Sequence, residues 1–497
     1  MPDSTTLPQA KTDKIAAALT EHFDVAIVGA GISGIGGAYH LTTQSPGRSF
    51  VVLESQESFG GTWLTHKYPG IRSDSDMYTL GYAFKPWQDA RSIADGPSIL
   101  SYVKEAAAEY GITDKIRFNS HVLAADWDSA SALWSLRLTD GATLTARFLF
   151  MGAGYYDYDE AHKPDIPGIE NFKGKVVHPQ FWPEDYDWSG QKVVIIGSGA
   201  TAVTMVPAMA DKAAHVTMLQ RTPTWYISMP SRDWMANALR KIMPYRLAHR
   251  LIRARNVFMA DRMFKRSRTK PQKVADWLTK RLKADLGDKW NAKDFVPPYN
   301  PWDQRMCLVP DSDMFKAIVD GKASVATGHI KAVEADSIVL HDGTRIAADC
   351  IVTATGLKLA VGGKIAVSVD GCPVTFGDHF WFRNCMFSNV PNLAAMFGYL
   401  NASWTLRVDV VASYLVRVIE QMKVWNARSV TPVMDESAPP PEAGMFEGFS
   451  SGYLGRAGSI IPKNALDGPW RINQDYLADR RELAQVPVDD GILRYER

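Results

Sequence analysis

The chain has no C-x-x-C pair: its four cysteines, Cys307, Cys350, Cys372 and Cys385, are scattered. That spacing argues against a zinc site and against the paired dithiol of a flavin disulfide reductase, and it suggests a reducing, cytoplasmic compartment. An excess of one charge is also missing. Lys and Arg number 55 against 54 Asp and Glu, a net of +1, so bulk electrostatics gives no reason to expect a nucleic acid or an acidic substrate. No apolar run approaches the length needed to cross a bilayer. Residues 1–22 carry Asp3, Lys11, Asp13 and Lys14 and lack the uninterrupted apolar core of a secretory signal. Hydrophobic and charged fractions of 46% and 22% exclude a mainly disordered or collagen-like chain. A length of 497 residues gives room for about two to four domains.

Two glycine loops are present. The apolar run Asp24 to Val28 leads straight into Gly29-Ala-Gly31-Ile-Ser33-Gly34 and an apolar helix through Leu41. In this pattern Gly29 permits the tight turn, Gly31 lets backbone amides approach a pyrophosphate, and Gly34 allows helix and strand to pack closely. The helix N-terminus then offers unpaired N–H groups to the anion. The next strand ends in Glu54, twenty positions after Gly34, where a carboxylate can accept from ribose hydroxyls. Gly60-Gly61-Thr62-Trp63-Leu64-Thr65 and Tyr68-Pro-Gly-Ile-Arg72-Ser73-Asp74 follow. Glycines beside the first site let the backbone run along a flat ring, and Trp63 can cover it.

The second loop is Gly197-Ser198-Gly199-Ala200-Thr201-Ala202, entered from the strand Lys192 to Ile196. Its following strand ends in Arg221-Thr222, with no acidic residue where a site for NAD would hold the ribose. An arginine there suits a 2′-phosphate, which favours NADPH; a surface arginine after a strand is the alternative. From Ser231 to Trp290, 17 basic residues face 5 acidic ones, a net of +12 that leaves −11 for the rest of the chain. Apolar residues interleave there at helical spacing, so the segment reads as a helical insertion with a solvated basic face, and peripheral contact with an anionic membrane, at its inner face, is the second reading.

Between the loops lies Phe172-Lys-Gly174-Lys-Val-Val-His178-Pro-Gln-Phe-Trp182-Pro183. It fills every fixed place of the Baeyer-Villiger monooxygenase fingerprint F-x-G-x-x-x-H-x-x-x-W-P. A second pattern of that family, G-x-W-x-x-x-x-Y-P-G-x-x-x-D, is complete from Gly61 to Asp74. The chain therefore resembles the Baeyer-Villiger monooxygenases over nearly its whole length. YPGIRSDSDMYTL, HPQFWPED, NPWDQR and NASWTL look closest to the subgroup typified by the ethionamide-activating monooxygenase.

The resemblance implies an α/β fold with two Rossmann-like dinucleotide-binding domains, for FAD and NADPH. The FAD domain is expected at 1–155 and 326–497, and the NADPH domain at 156–325 with its insertion at about 231–290. It implies that NADPH reduces FAD, that oxygen adds as a C4a-peroxide, and that a ketone becomes an ester or lactone. Arg305 matches the arginine of the reaction centre, Asp74 its partner, and Val122 a position whose backbone touches the adenine. His178 is the expected pivot between domains. A flavin monooxygenase acting on nitrogen or sulfur, including sulfides and thioamides, and a catalytically silent binding protein on the same scaffold remain alternatives.

Overall fold

The computed structural model describes residues 21–444 and 460–497, so the expectation about the N-terminal residues lies outside what is described, apart from its last two. Two sheets carry the molecule. In the larger, of 11 strands, Glu21–Val28 pairs in parallel with Phe50–Leu53 on one side and with Thr143–Met151 on the other. Val25 to Val28 are buried on both faces, as a central parallel strand covered by helices requires. An antiparallel meander, Val122–Asp128, Leu133–Leu138 and Thr143–Met151, extends this sheet. Helices Ile32–Gln44 and Trp404–Val424 pack against each other over one face, sharing a core that includes Ile35, Ala38, Val408 and Val411.

The smaller sheet has the order Ala323–Thr327, His215–Gln220, Lys192–Ile196, Cys350–Thr353, Lys175–Val177, all parallel. This corrects the boundary expected between 325 and 326. Residues 326–353 stay with the second domain: a separate three-stranded sheet at 330–347 packs on Val194 and Ile196, and Cys350–Thr353 hydrogen-bonds between strands 175–177 and 192–196. The chain crosses back only at Leu357–Leu359, which runs antiparallel to the outgoing Tyr156–Ala161. Those two segments form a ribbon joining the sheets.

The insertion forms three helices, Trp234–Ile242, Tyr245–Thr269 and Pro271–Leu286. The inner face of Tyr245–Thr269 lies on the first domain, while Leu282 and Leu286 of Pro271–Leu286 join the core of the second. Arg253 is buried and donates to the carbonyls of Tyr78, Thr79 and Gly81 at 3.0, 3.2 and 2.7 Å, and it pairs with Asp409 at 3.2 Å. Asn256 reaches the Asp76 carboxylate at 2.9 Å. Strand Ser429–Pro432 pairs antiparallel with Leu493–Glu496. Among the described residues no helix is long and apolar enough to cross a membrane.

Candidate functional site

A cavity of about 650 Å³ opens along the first glycine loop and runs to the second. It falls in the size range of pockets that enclose small molecules. Gly29, Gly31, Ser33, Glu54, Gly61, Thr62, Trp63, Thr65, Arg72, Ser73, Asp74 and Val122 all line it, as do Ala200, Thr201 and Arg305. Gly34 supports the loop from behind: a Cβ there would come within 1.8 Å of the Gly29 carbonyl oxygen, so no other residue keeps this helix against its strand. The helix Ile32–Gln44 has no side-chain cap and no acidic residue in its first turn, which leaves its leading amides for an anion. Glu54 is buried and accepts from the Ala30 amide at 2.7 Å and the Gln56 amide at 3.0 Å. A carboxylate has about four acceptor positions, so capacity remains for ribose hydroxyls. The donors and acceptors present fit FAD.

Arg305 and Asp74, 231 positions apart, meet on the cavity wall. The guanidinium is bidentate, with Nε 2.9 Å from Asp74 Oδ2 and Nη2 3.1 Å from Oδ1, and Nη1 faces the Leu400 carbonyl at 3.4 Å. Both side chains are more than a third exposed, so the pair contributes at most about 1 kcal/mol to stability. Its planar fork instead fixes where a permanent positive charge stands. Arg72, in the same segment as Asp74, crosses to the second domain and pairs with Asp313 of helix Asp313–Val319.

At the second loop, helix Ala200–Ala210 again lacks a side-chain cap, and Gly199 takes the N-cap position. Ser198 donates to the Thr222 carbonyl at 3.2 Å, which ties the loop to the end of strand His215–Gln220, where Arg221 and Thr222 are exposed. Gly197, Ser198, Gly199, Ala202, Arg221 and Thr222 lie outside the large cavity, as does Leu64. An uncapped helix start with an exposed arginine at the neighbouring strand end suits a phosphorylated dinucleotide.

The fingerprint residues divide. Phe172 is buried in a core with Val194, Ile196 and Ile351, and a Cβ on Gly174 would come within 2.2 Å of the Asp349 carbonyl oxygen. Trp182 packs edge-on against Tyr186 and Trp188. These three hold the second domain together. His178 ends the edge strand Lys175–Val177, and its Nδ1 accepts from the Gln180 amide at 3.2 Å, which leaves the ring proton on Nε2. Nε2 is buried without a hydrogen-bond partner among the described residues. Burial pushes the His178 pKa down, and the Gly356 backbone nearby offsets this only in part. Gln180 then donates to the Asp157 carbonyl at 2.7 Å, so the fingerprint reaches the ribbon between the domains.

Sequence reasoning missed several cavity residues. Tyr158 bonds Thr62 at 3.0 Å, and Tyr155 stacks on Trp404, ring centroids 5.1 Å apart. Trp404 donates to Ser33 at 2.8 Å. NASWTL marked the last of these; nothing local marks the tyrosines. Ser403 sits at the N-cap of helix Trp404–Val424, but its hydroxyl bonds Thr79 at 2.7 Å and caps no amide. Ala402 and Trp404 line the cavity, so that helix's positive end faces it.

A family model described as FMO-like, flavin-binding monooxygenase-like, matches residues 23–362. The probable FAD-binding monooxygenase AlmA of Acinetobacter baylyi is 44% identical over 484 residues, covering 96% of this chain and 97% of that protein. The FAD-containing monooxygenase EthA of Mycobacterium tuberculosis is 43% identical, covering 96% of this chain and 99% of its own. Among solved structures, an oxidized steroid monooxygenase bound to NADP aligns with a TM-score of 0.75 at 20% identity, over 96% of this chain and 99% of that one. Open cyclohexanone monooxygenase aligns at 0.73 and 18% identity, over 96% of this chain and 100% of that one. The structural likeness establishes the two-sheet fold, while the matched model and the full-length relatives establish that the chain belongs to the flavin-binding monooxygenase-like family.

Proposed function

We propose that the chain holds FAD on its first loop and NADPH on its second and converts ketones to esters or lactones, with oxygenation of sulfides or thioamides as a companion activity of the same cavity. The overall change balances as ketone, O₂, NADPH and a proton giving ester, water and NADP⁺. Bound FAD supplies the two-electron transfer and the activation of oxygen. The amides opening helix Ile32–Gln44 hold the pyrophosphate, Glu54 the ribose, and Trp63 and the Thr62–Tyr158 pair bound the site near the ring.

The observation that carries the proposal is the bidentate Arg305–Asp74 pair on the wall of the cavity that Gly29, Gly31 and Glu54 also line. When a nucleophile adds to a ketone, negative charge develops on the carbonyl oxygen. Arg305 presents a fixed cation to that oxygen, and Asp74 sets its orientation and tempers its charge. Once cofactor and substrate exclude water, such preorganised charge is worth about 3 to 4 kcal/mol. His178, Gln180 and the ribbon at 156–161 and 357–359 would let the second domain change its angle to the first, bringing a dinucleotide held on the second loop to the cavity and closing that cavity to water.

Purified protein supplied with FAD, NADPH and oxygen is tested against linear, cyclic and aryl ketones and one sulfide, scored by product. Esters or lactones in step with NADPH use are expected. Sulfoxide without any ester would turn the reading to a sulfur or nitrogen monooxygenase, and hydrogen peroxide alone would reject oxygenation.

A further inference from the structure

We infer that the outward face of helices Trp234–Ile242 and Tyr245–Thr269 docks on an anionic lipid surface, an interaction that stands apart from the chemistry proposed above. The longer helix is two-faced. Ala248, His249, Ile252, Arg253 and Val257 are buried against the first domain. On the opposite side Leu247, Leu251, Ala254 and Phe258 recur at steps of four, three and four, the spacing of one helical stripe, and all four are exposed. The preceding helix adds Trp234 and Ile242, exposed to 73% and 77%. Exposed apolar residues scattered singly need no explanation, but a stripe of four along one helix, with two more exposed on the helix before it, marks an interaction surface.

Charge selects the occupant. From Trp234 to Ala260 there is no Asp or Glu, against six Lys and Arg. Arg253 and Arg255 turn inward to Asp409 and Asp233. Lys241, Arg246 and Arg250 are exposed on the same two helices and enter no ion pair among the described residues. Arg262 and Arg266 continue the basic flank in the next turns. A protein partner would need a groove shaped to Trp234, Ile242 and Phe258. A bilayer interface accepts aromatic and aliphatic tips without shape matching, and anionic headgroups attract the guanidiniums. The inner face of the same helix holds the carbonyls of Tyr78, Thr79 and Gly81, a few residues after Asp74. Docking would therefore bring the cavity close to a lipid phase where apolar substrates concentrate.

The test is co-sedimentation of the FAD-loaded full chain with vesicles of phosphatidylcholine, alone or with phosphatidylglycerol. Binding to the anionic vesicles is expected to fall at least about tenfold when salt is raised to about 0.5 M. The double substitution Leu251→Glu, Phe258→Glu is expected to lower it by about tenfold or more, with NADPH oxidation unchanged. That second readout separates this inference from the proposed reaction. Absence of binding, equal binding to neutral vesicles, or binding indifferent to the double substitution would overturn it. So would a double variant that changes only the mass of the protein in light scattering, which would mean that a second copy covers the face.

Discussion

Arg305 shows how little a side chain's neighbours in sequence say about its work. By itself, after Trp302-Asp-Gln, it reads as one end of a surface salt bridge, and its exposure gives the ion pair little stabilising value. Only the family resemblance pointed to it, because its partner Asp74 stands 231 positions away. Asp74→Asn keeps the size and one acceptor but leaves the guanidinium charge untempered; ketone conversion is expected to slow about tenfold, with flavin reduction by NADPH unchanged in stopped-flow traces. Glu54 and the first loop were legible locally, since the same short motif supplies the turn, the amides and the carboxylate. Gly174 was legible as a fingerprint position but not as to purpose. Gly174→Ala must push the Asp349 carbonyl away from 2.2 Å, so a loss of about 1 to 3 kcal/mol is expected in urea unfolding, with the kinetics of folded protein little altered.

The insertion was readable as helices because apolar residues recur among the basic ones. Its docking was not, since Arg253 binds carbonyls more than 170 positions earlier in the chain. Arg253→Leu removes the donor to three carbonyls and leaves Asp409 with only His40 at 3.5 Å and the Ala83 amide at 3.3 Å, a loss of about 3 kcal/mol; a lower urea midpoint and weaker FAD retention are expected together. His249, one turn before it, lies buried with both ring nitrogens unpaired among the described residues. Burial first, and the Arg253 charge second, push its pKa down to about 4 from the ordinary 6.5. The unfolded chain therefore binds the proton first on acidification. Stability is full above about pH 6.5 and falls as pH drops toward 4, by up to about 3 kcal/mol from this residue. His249→Leu loses no hydrogen bond and is expected to flatten that acid limb while leaving stability at pH 7 nearly unchanged, as thermal unfolding across pH would show.

At the scale of the whole molecule the two sheets, each with a parallel core, followed from the two glycine loops, each with its strand and helix. The point of return to the first domain did not. A buried strand such as Cys350–Thr353 reads alike in either sheet, and only its hydrogen bonds to strands 175–177 and 192–196 assign it. The joint consists of the ribbon at 156–161 and 357–359, where Asp157 is buried and pairs with Lys364 at 2.7 Å and Lys358 at 3.6 Å. His178 reaches it through Gln180, and its buried ring N–H has the Gly356 backbone beside it. His178→Ala is expected to raise the hydrogen peroxide formed per NADPH consumed, whereas intact coupling at the unsubstituted rate would dismiss the pivot. The central claim rests on Arg305, and its most direct test compares the two half-reactions in Arg305→Ala. Anaerobic NADPH should bleach the bound flavin within about threefold of the unsubstituted rate, while ester formation in air should fall at least about a hundredfold. Ketone conversion at the unsubstituted rate would contradict the account.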